Sequence, residues 1–255
     1  MTQNSSFIQY ILQLADNSLI HGHRLSEWCG HAPILEVDIA LSNIALDEIG
    51  AARSFYQYAA SLEGNGKTED SYPYHRDVRQ FLNILLVEMP NGNFAETIAK
   101  CFYFDAFQVH YYTAIAKSNN RQIAAIAEKS LKEVMYHFRF SSEWVIRLGD
   151  GTEDSKQKIQ DAIYKYWDYT GEMFDMSEAE TDMLSEGISI DVTLLKQLWH
   201  KDIVATLKQA TLSFPLSKEN GWHHSGGKKG IHTEHLGFIL AEMQYLQKTH
   251  PGASW

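Results

Sequence analysis

Cysteine is scarce in this chain, with only Cys29 and Cys101 among 255 residues. Neither belongs to a zinc-ribbon or redox pair, so the fold is not organised by disulfides or thiolate metal knuckles, and both read as reduced, packed thiols. Proline is almost as rare. Pro33, Pro73, Pro90, Pro215 and Pro251 fall between periodic segments, leaving long stretches free to be helical. Basic charge is short as well: 22 Lys and Arg stand against 32 Asp and Glu, a formal net charge of −10. That balance argues against a nucleic-acid surface, which draws on clustered cations. No run approaches the ~20 apolar residues that cross a bilayer, so no membrane association is expected. The opening MTQNSSFIQYILQLADNSLI has no basic region before its apolar stretch and is interrupted by Gln, Asp and Asn at helical spacing. It predicts a first helix in place of a signal peptide, and a cytoplasmic protein. No GxSxG, P-loop or Rossmann glycine pattern occurs, so nucleophilic and nucleotide chemistry have no support.

What is present is helical periodicity and a hydrophobic fraction of 44%, ample for a buried core. A first helix is expected from about Phe7 to Trp28, closed by CGHAP, and a second from about Pro33 to Leu62, ended by the glycines of EGNG. A shorter helix over Arg76 to Glu88 stops at MPNGN. FAETIAKCFYFDAFQVHYYTAIAKS then pairs across Asn119 and Asn120 with RQIAAIAEKSLKEVMYHFRFSSEWVIRLGDG. The chain thus predicts two long antiparallel hairpins, about 7–62 and 94–149, followed by further helices over about 152–249. Among the latter, Ser155 to Thr170 is amphipathic, SEAE at Ser177 to Glu180 fits a capping box, Asp191 caps a helix through Leu212, and TEHLGFILAEMQYLQ ends the chain's helices after the polar loop LSKENGWHHSGGKKG. The second and fourth helices are apolar on nearly all sides, as for helices surrounded by others, and their few charges therefore need partners.

Those charges include Asp16 on the first helix, Glu48 within LDEIGAAR on the second and Asp105 on the fourth. A carboxylate di-iron bundle takes a carboxylate from each of two helices and Glu-x-x-His from each of two others, hard oxygens and imidazoles holding iron with open positions for oxygen. Asp16 to Glu48 and Asp105 to His137 each span 32 residues, which would set polar groups at matching depths in the two hairpins. The ligand set is nonetheless incomplete. Ala51 stands three residues after Glu48 where histidine belongs, Val134 stands three before His137 where glutamate belongs, and Glu133 is four residues from His137 instead of three. The bland alternative is a buried hydrogen-bonded network of Asp16, Glu48, Asp105 and His137 with Arg24, Arg53 or Lys100. His223, His224, His232 and His235 match no tight zinc spacing and read as chance clustering. GGKKG at Gly226 to Gly230 reads as a solvated turn, with Lys228 and Lys229 meeting a phosphate as the alternative.

The blocks LADNSLIHGHRLSEWCGHAPILEVDIALSNIALDEIGAAR, LLVEMPNGNFAETIAKCFYFDAF, KEVMYHFRFSSEWVIRLGDGTEDS and GGKKGIHTEHLGFILAEMQYLQKTHPGASW resemble the C-subunit family of bacterial ring-1,2-phenylacetyl-CoA epoxidase over nearly the whole chain. The resemblance implies a single ferritin-like domain over 1–255, a four-helix bundle with additional C-terminal helices, inside a multicomponent oxygenase of aerobic phenylacetate catabolism. In that family the catalytic A subunit holds the di-iron centre and binds the CoA thioester, and a reductase subunit with FAD and an iron–sulfur cluster supplies electrons from NADPH. The C subunit supports its catalytic partner and has no working metal site. By this resemblance Asp16, Glu48, Asp105, Glu133 and His137 are vestigial ligand-like positions, the ligands proper are gone at Ala51 and Val134, and no catalytic or cofactor-binding residue is expected. The partners implied are the A subunit together with the rest of the complex, with self-association open. The rival functions are a di-iron oxygenase in its own right and a CoA-recognition module using Lys228 and Lys229.

Overall fold

The computed structural model of the chain describes residues 3–215 and 221–253. Its helices are α1 (Gln3–Ser26), α2 (Leu35–Glu63), α3 (Ser71–His75), α4 (Leu85–Glu88), α5 (Phe94–Ile115), α6 (Arg121–Gly149), α7 (Glu153–Trp167), α8 (Glu178–Leu184), α9 (Lys196–Gln209) and α10 (Glu234–Thr249). No strand occurs among the described residues, and the fold class is all-α and ferritin-like with additional C-terminal helices, as expected. No helix among them is long and apolar enough to cross a membrane. The first part of the polar loop, 216–220, lies outside the described residues.

Two compact units emerge, one from the described residues of Met1–Pro90, Ser177–Met183 and Gly226–Trp255, the other from Asn91–Met176 and Leu184–Ser225. The first is built on the α1–α2 hairpin, with α4 against α1 and α10 against α3. The second is built on α5–α6, with α7 and α9 packed on both helices. Local sequence explains the boundaries. Gly64 closes α2 at φ 67°, a left-handed value that costs glycine nothing. Asn120 opens α6 by accepting from the N–H groups of Gln122 and Ile123 at 3.1 and 3.0 Å, and Asn93 opens α5 by accepting from Glu96 at 3.1 Å. The SEAE box forms as expected, Ser177 Oγ accepting from Glu180 N–H at 3.1 Å while the Glu180 carboxylate accepts from Ser177 N–H at 2.7 Å. Asp191 caps a short 3₁₀ turn, Val192–Leu195, that leads into α9.

Two expectations are corrected. Arg76 to Glu88 is not one helix. Arg76 is extended at φ −78°, ψ 147°, a 3₁₀ turn covers Val78–Gln80, and only Leu85–Glu88 is helical. The backbone of this segment is claimed from outside: Asp16 accepts from Leu82 N–H at 2.8 Å and the Asn17 side chain from Ile84 N–H at 2.9 Å. Those two donors are therefore unavailable to an i→i−4 ladder. Nor is α2 enclosed on every side. Val37, Leu41, Ile44 and Phe55 are buried, but Leu35, Ile39 and Leu46 are exposed along one face, and Ile34, extended just before the helix, is exposed as well. By contrast α5 is buried over nearly its whole length, as expected.

Candidate functional site

The ligand-like carboxylate of Asp16 is fully buried and fully engaged. Its Oδ1 accepts from the Tyr56 hydroxyl at 2.5 Å and from Arg76 Nη2; its Oδ2 accepts from Arg76 Nη1 at 3.0 Å and from Leu82 N–H at 2.8 Å. Four donors occupy the roughly four lone-pair positions a carboxylate offers. Burial, reinforced by the Asp16 charge, raises the Tyr56 phenol well above its ordinary pKa, so it remains a donor. The Arg76 guanidinium is fixed in turn by the Tyr72 and Gln80 carbonyls at 2.9 and 2.8 Å and lies 4.3 Å from the centroid of the Phe81 ring.

The α1–α2 register explains why Asp16 finds Tyr56. A Cβ on Gly22 would lie 3.2 Å from the Glu48 Cβ and 3.0 Å from the Ala45 carbonyl, so it is Gly22 that passes Glu48. Asp16 lies six residues further along α1, about 9 Å at the helical rise. The matching of Asp16 with Glu48 expected from equal spacing does not occur in this hairpin. Glu48 is itself buried, as is Ala51. In the second unit Asp105 and His137 are buried and closer to one level: the Ser141 hydroxyl, one turn beyond His137 on α6, donates to Asp105 Oδ2 at 2.7 Å. Val134 is buried, while Glu133 is half-exposed with Lys129 Nζ 4.0 Å away.

This donor set does not fit a di-iron centre. The Asp16 oxygens are already taken by four donors, the Arg76 guanidinium supplies the compensating positive charge, and the buried side chains of Ala51 and Val134 offer no ligating atom. Of the cations anticipated for a buried network, Lys100 is buried, with its Nζ 3.5 Å from Asn91 Oδ1. Arg24 donates to the Glu88 carbonyl at 3.0 and 2.8 Å and to Glu27 at 2.7 Å, and Arg53 is exposed beside Glu69 at 3.2 Å.

The first unit holds two further buried ion pairs. Glu88, fully buried, accepts from Asn83 Nδ2 at 2.9 Å and Thr233 N–H at 2.6 Å, with His232 Nδ1 2.8 Å from its Oε2. The other imidazole nitrogen of His232 lies 2.8 Å from the Phe81 carbonyl, and the side chain is fully buried. Both ring nitrogens thus face oxygens, the arrangement in which a doubly protonated imidazolium donates twice. Burial opposes that charge, but the Glu88 hydrogen bond and carboxylate outweigh it and hold the pKa above the ordinary histidine value. Lys228 and Glu180 make the second pair, Nζ standing 3.2 and 3.1 Å from the two carboxylate oxygens with both side chains buried. The GGKKG turn is therefore not solvated at Lys228, and a Cβ on Gly227 would overlap the Asn83 carbonyl.

The other C-terminal histidines serve separate partners. His223 Nε2 lies 2.8 Å from Asp175, His224 stacks on Tyr169 at 4.2 Å between centroids, and His235 N–H donates to Thr233 Oγ1 at the start of α10 at 3.3 Å. In the second unit a cavity of about 130 Å³ is lined by residues including Trp167, Phe174, Lys196, Trp199 and His223. It is small against the ~300–1,000 Å³ of typical small-molecule sites. Arg76, Tyr56, Ser141, Glu88 and the pairing roles of Glu180 and His232 were not anticipated; each acts through a contact at least 36 residues away in sequence.

A family model described as Phenylacetic acid catabolic protein matches residues 1–255. The chain is 50% identical over 246 residues to the C subunit of 1,2-phenylacetyl-CoA epoxidase from Escherichia coli (strain K12), covering 96% of this chain and 98% of the relative. It is 25% identical over 162 residues to the A subunit of the same epoxidase from that organism, covering 64% of this chain and 52% of the relative.

Proposed function

The chain belongs to the phenylacetic acid catabolic protein family, and on that premise we propose that it is the supporting, non-catalytic subunit of a multicomponent oxygenase that epoxidises phenylacetyl-CoA. The observation that carries this reading is the saturation of Asp16 by Arg76, Tyr56 and the Leu82 N–H. A ligand-like carboxylate has become one half of a structural ion pair. Its partner in function is the homologous A-type subunit, which by resemblance holds the di-iron centre and binds the CoA thioester, with NADPH, FAD and an iron–sulfur cluster confined to a reductase. The single-domain reading of residues 1–255 and a cytoplasmic location belong to the same proposal.

Both rival readings lose support. A self-sufficient di-iron oxygenase lacks its ligands at Ala51 and Val134, and a CoA-phosphate module built on Lys228 lacks a free ammonium, since Glu180 holds it. The test is to express the A-type subunit with and without this chain, and this chain alone, and to assay phenylacetyl-CoA epoxidation with reductase, iron and oxygen. The expected result is turnover by the pair, none by this chain alone, and loss of solubility or activity when the A-type subunit is made by itself. Full activity of the A-type subunit by itself removes the supporting role. Turnover by this chain alone, with about two irons per chain, replaces it with the oxygenase reading.

A further inference from the structure

The open face of α2 has the pattern of a helix-packing seam without its second helix. Leu35, Ile39 and Leu46 are 71%, 53% and 66% exposed, and Ile34 just before the helix is 49% exposed. From Ile39 onward the face follows alternating steps of four and three residues through Asn43, Leu46, Gly50, Arg53 and Gln57. That is the spacing with which two α-helices interdigitate at a shallow crossing angle. Burial of such side chains against a helix from outside is what the hydrophobic effect favours here, since nothing in the described chain covers them.

Gly50 is a separate observation pointing the same way. Glycine inside a helix destabilises it relative to alanine. Gly22 has a reason to be glycine, because a Cβ there would crowd Ala45 and Ile49 at 3.0 Å. A Cβ on Gly50 would meet nothing within 4 Å. The chain itself does not require glycine at this point on the seam, whereas a helix laid across the seam would gain close backbone approach there.

Charge selects the occupant. The exposed stripe of α2 is bordered by Glu36, Asp38 and Asp47, and its one cation, Arg53, is already beside Glu69 at 3.2 Å. A second copy of this chain would bring two acidic helices together, which like-charge repulsion opposes. We propose that the face formed by Leu35, Ile39, Leu46 and Gly50 receives an amphipathic helix of the A-type subunit whose apolar stripe is flanked by Lys or Arg. The proposal rests on the supporting-subunit reading and gives that reading a surface.

The test uses the full-length chain co-expressed with the A-type subunit, with relative affinity measured by competition of each variant against tagged parent chain for the complex and the fold of each variant monitored by circular dichroism. Ile39→Lys and Leu46→Lys are expected to weaken binding at least about 30-fold, the loss typical of a residue central to an interface, with helicity unchanged. Leu198→Lys, at a position 51% exposed on α9, is expected to bind like the parent. Gly50→Ala is the discriminating variant: the isolated chain should melt at a higher temperature while binding weakens, a combination that a structural defect would not produce. If the parent binds and the α2 variants bind equally well, the assigned face is wrong and the supporting-subunit reading stands. If the parent shows no binding to the A-type subunit, that reading falls and the inference with it. Sedimentation showing a homodimer that Leu46→Lys dissolves would make a second copy the occupant and overturn the proposal.

Discussion

Replacing Arg76 with methionine removes both guanidinium contacts from Asp16 in one step. The carboxylate is fully buried and would keep only the Tyr56 hydroxyl and the Leu82 N–H as donors. Breaking a buried pair by deleting one partner costs about 3–5 kcal/mol, because the surviving charge has lost its compensation. The Tyr72 and Gln80 carbonyls also lose a donor, each bond contributing about 0.5–1.5 kcal/mol. Methionine returns part of this by packing on Phe81, where the guanidinium now lies 4.3 Å from the ring centroid. The expected net loss is about 4 kcal/mol, which for a chain of this size lowers the melting temperature by ~8–16 °C. Urea and thermal unfolding at neutral pH measure it. The double variant Asp16→Asn/Arg76→Met, which buries an amide and a thioether in place of two charges, should recover at least about 2 kcal/mol of that loss. A single variant within about 1 kcal/mol of the parent, or a double variant no better than the single, would refute the claim that the guanidinium compensates the buried charge of Asp16.

Three further outcomes follow from the same geometry. Glu48→Gln in the assembled complex should leave turnover within about tenfold of the parent, since no reacting atom contacts this carboxylate in the proposed role; a loss of several orders of magnitude with assembly intact contradicts that. Because the folded-state pKa of His232 is raised above its unfolded value, its stabilisation is complete below about pH 6.5 and is lost as pH rises through the folded pKa. The difference in melting temperature between the parent and His232→Gln should accordingly shrink with rising pH, and a difference that grows instead would reverse the assignment of His232 as an imidazolium. Lys228→Met should destabilise the chain by about 3–5 kcal/mol by stranding Glu180, whereas Lys229→Ala, at an exposed position, should stay within about 0.5 kcal/mol; equal and small effects would return Lys228 to the role of a surface cation.

How much of this was legible depended on the range over which each residue acts. Asn120, Gly64 and the Ser177–Glu180 box announce their helix ends because caps are made within a few residues. That Ala51 and Val134 interrupt a Glu-x-x-His pattern is visible in the sequence because that spacing is local. The segment from Arg76 to Glu88 misled because its apolar run suggests a helix, while the groups that claim its backbone, Asp16 and Asn17, lie 66 and 67 residues away. The Asp16–Glu48 match failed for a related reason. Equal spacing across a hairpin does not set the register; close approach at Gly22 does. On α2, periodicity reports that a face is apolar but not whether its cover comes from the same chain.

The pairing of Glu88 with His232 joins residues 144 apart, and the Ser6 hydroxyl reaches Asp182 across 176. These contacts make the first unit discontinuous, and that has a consequence for the order in which the protein is made. The α1–α2 hairpin is translated before the second unit, yet α10, which packs on α3, and His232, which pairs with Glu88, are translated only after the whole of it. Local hairpins form early and distant pairings late. During synthesis the nascent first unit therefore waits with Glu88 uncompensated while the second unit, complete by Ser225, is already able to close.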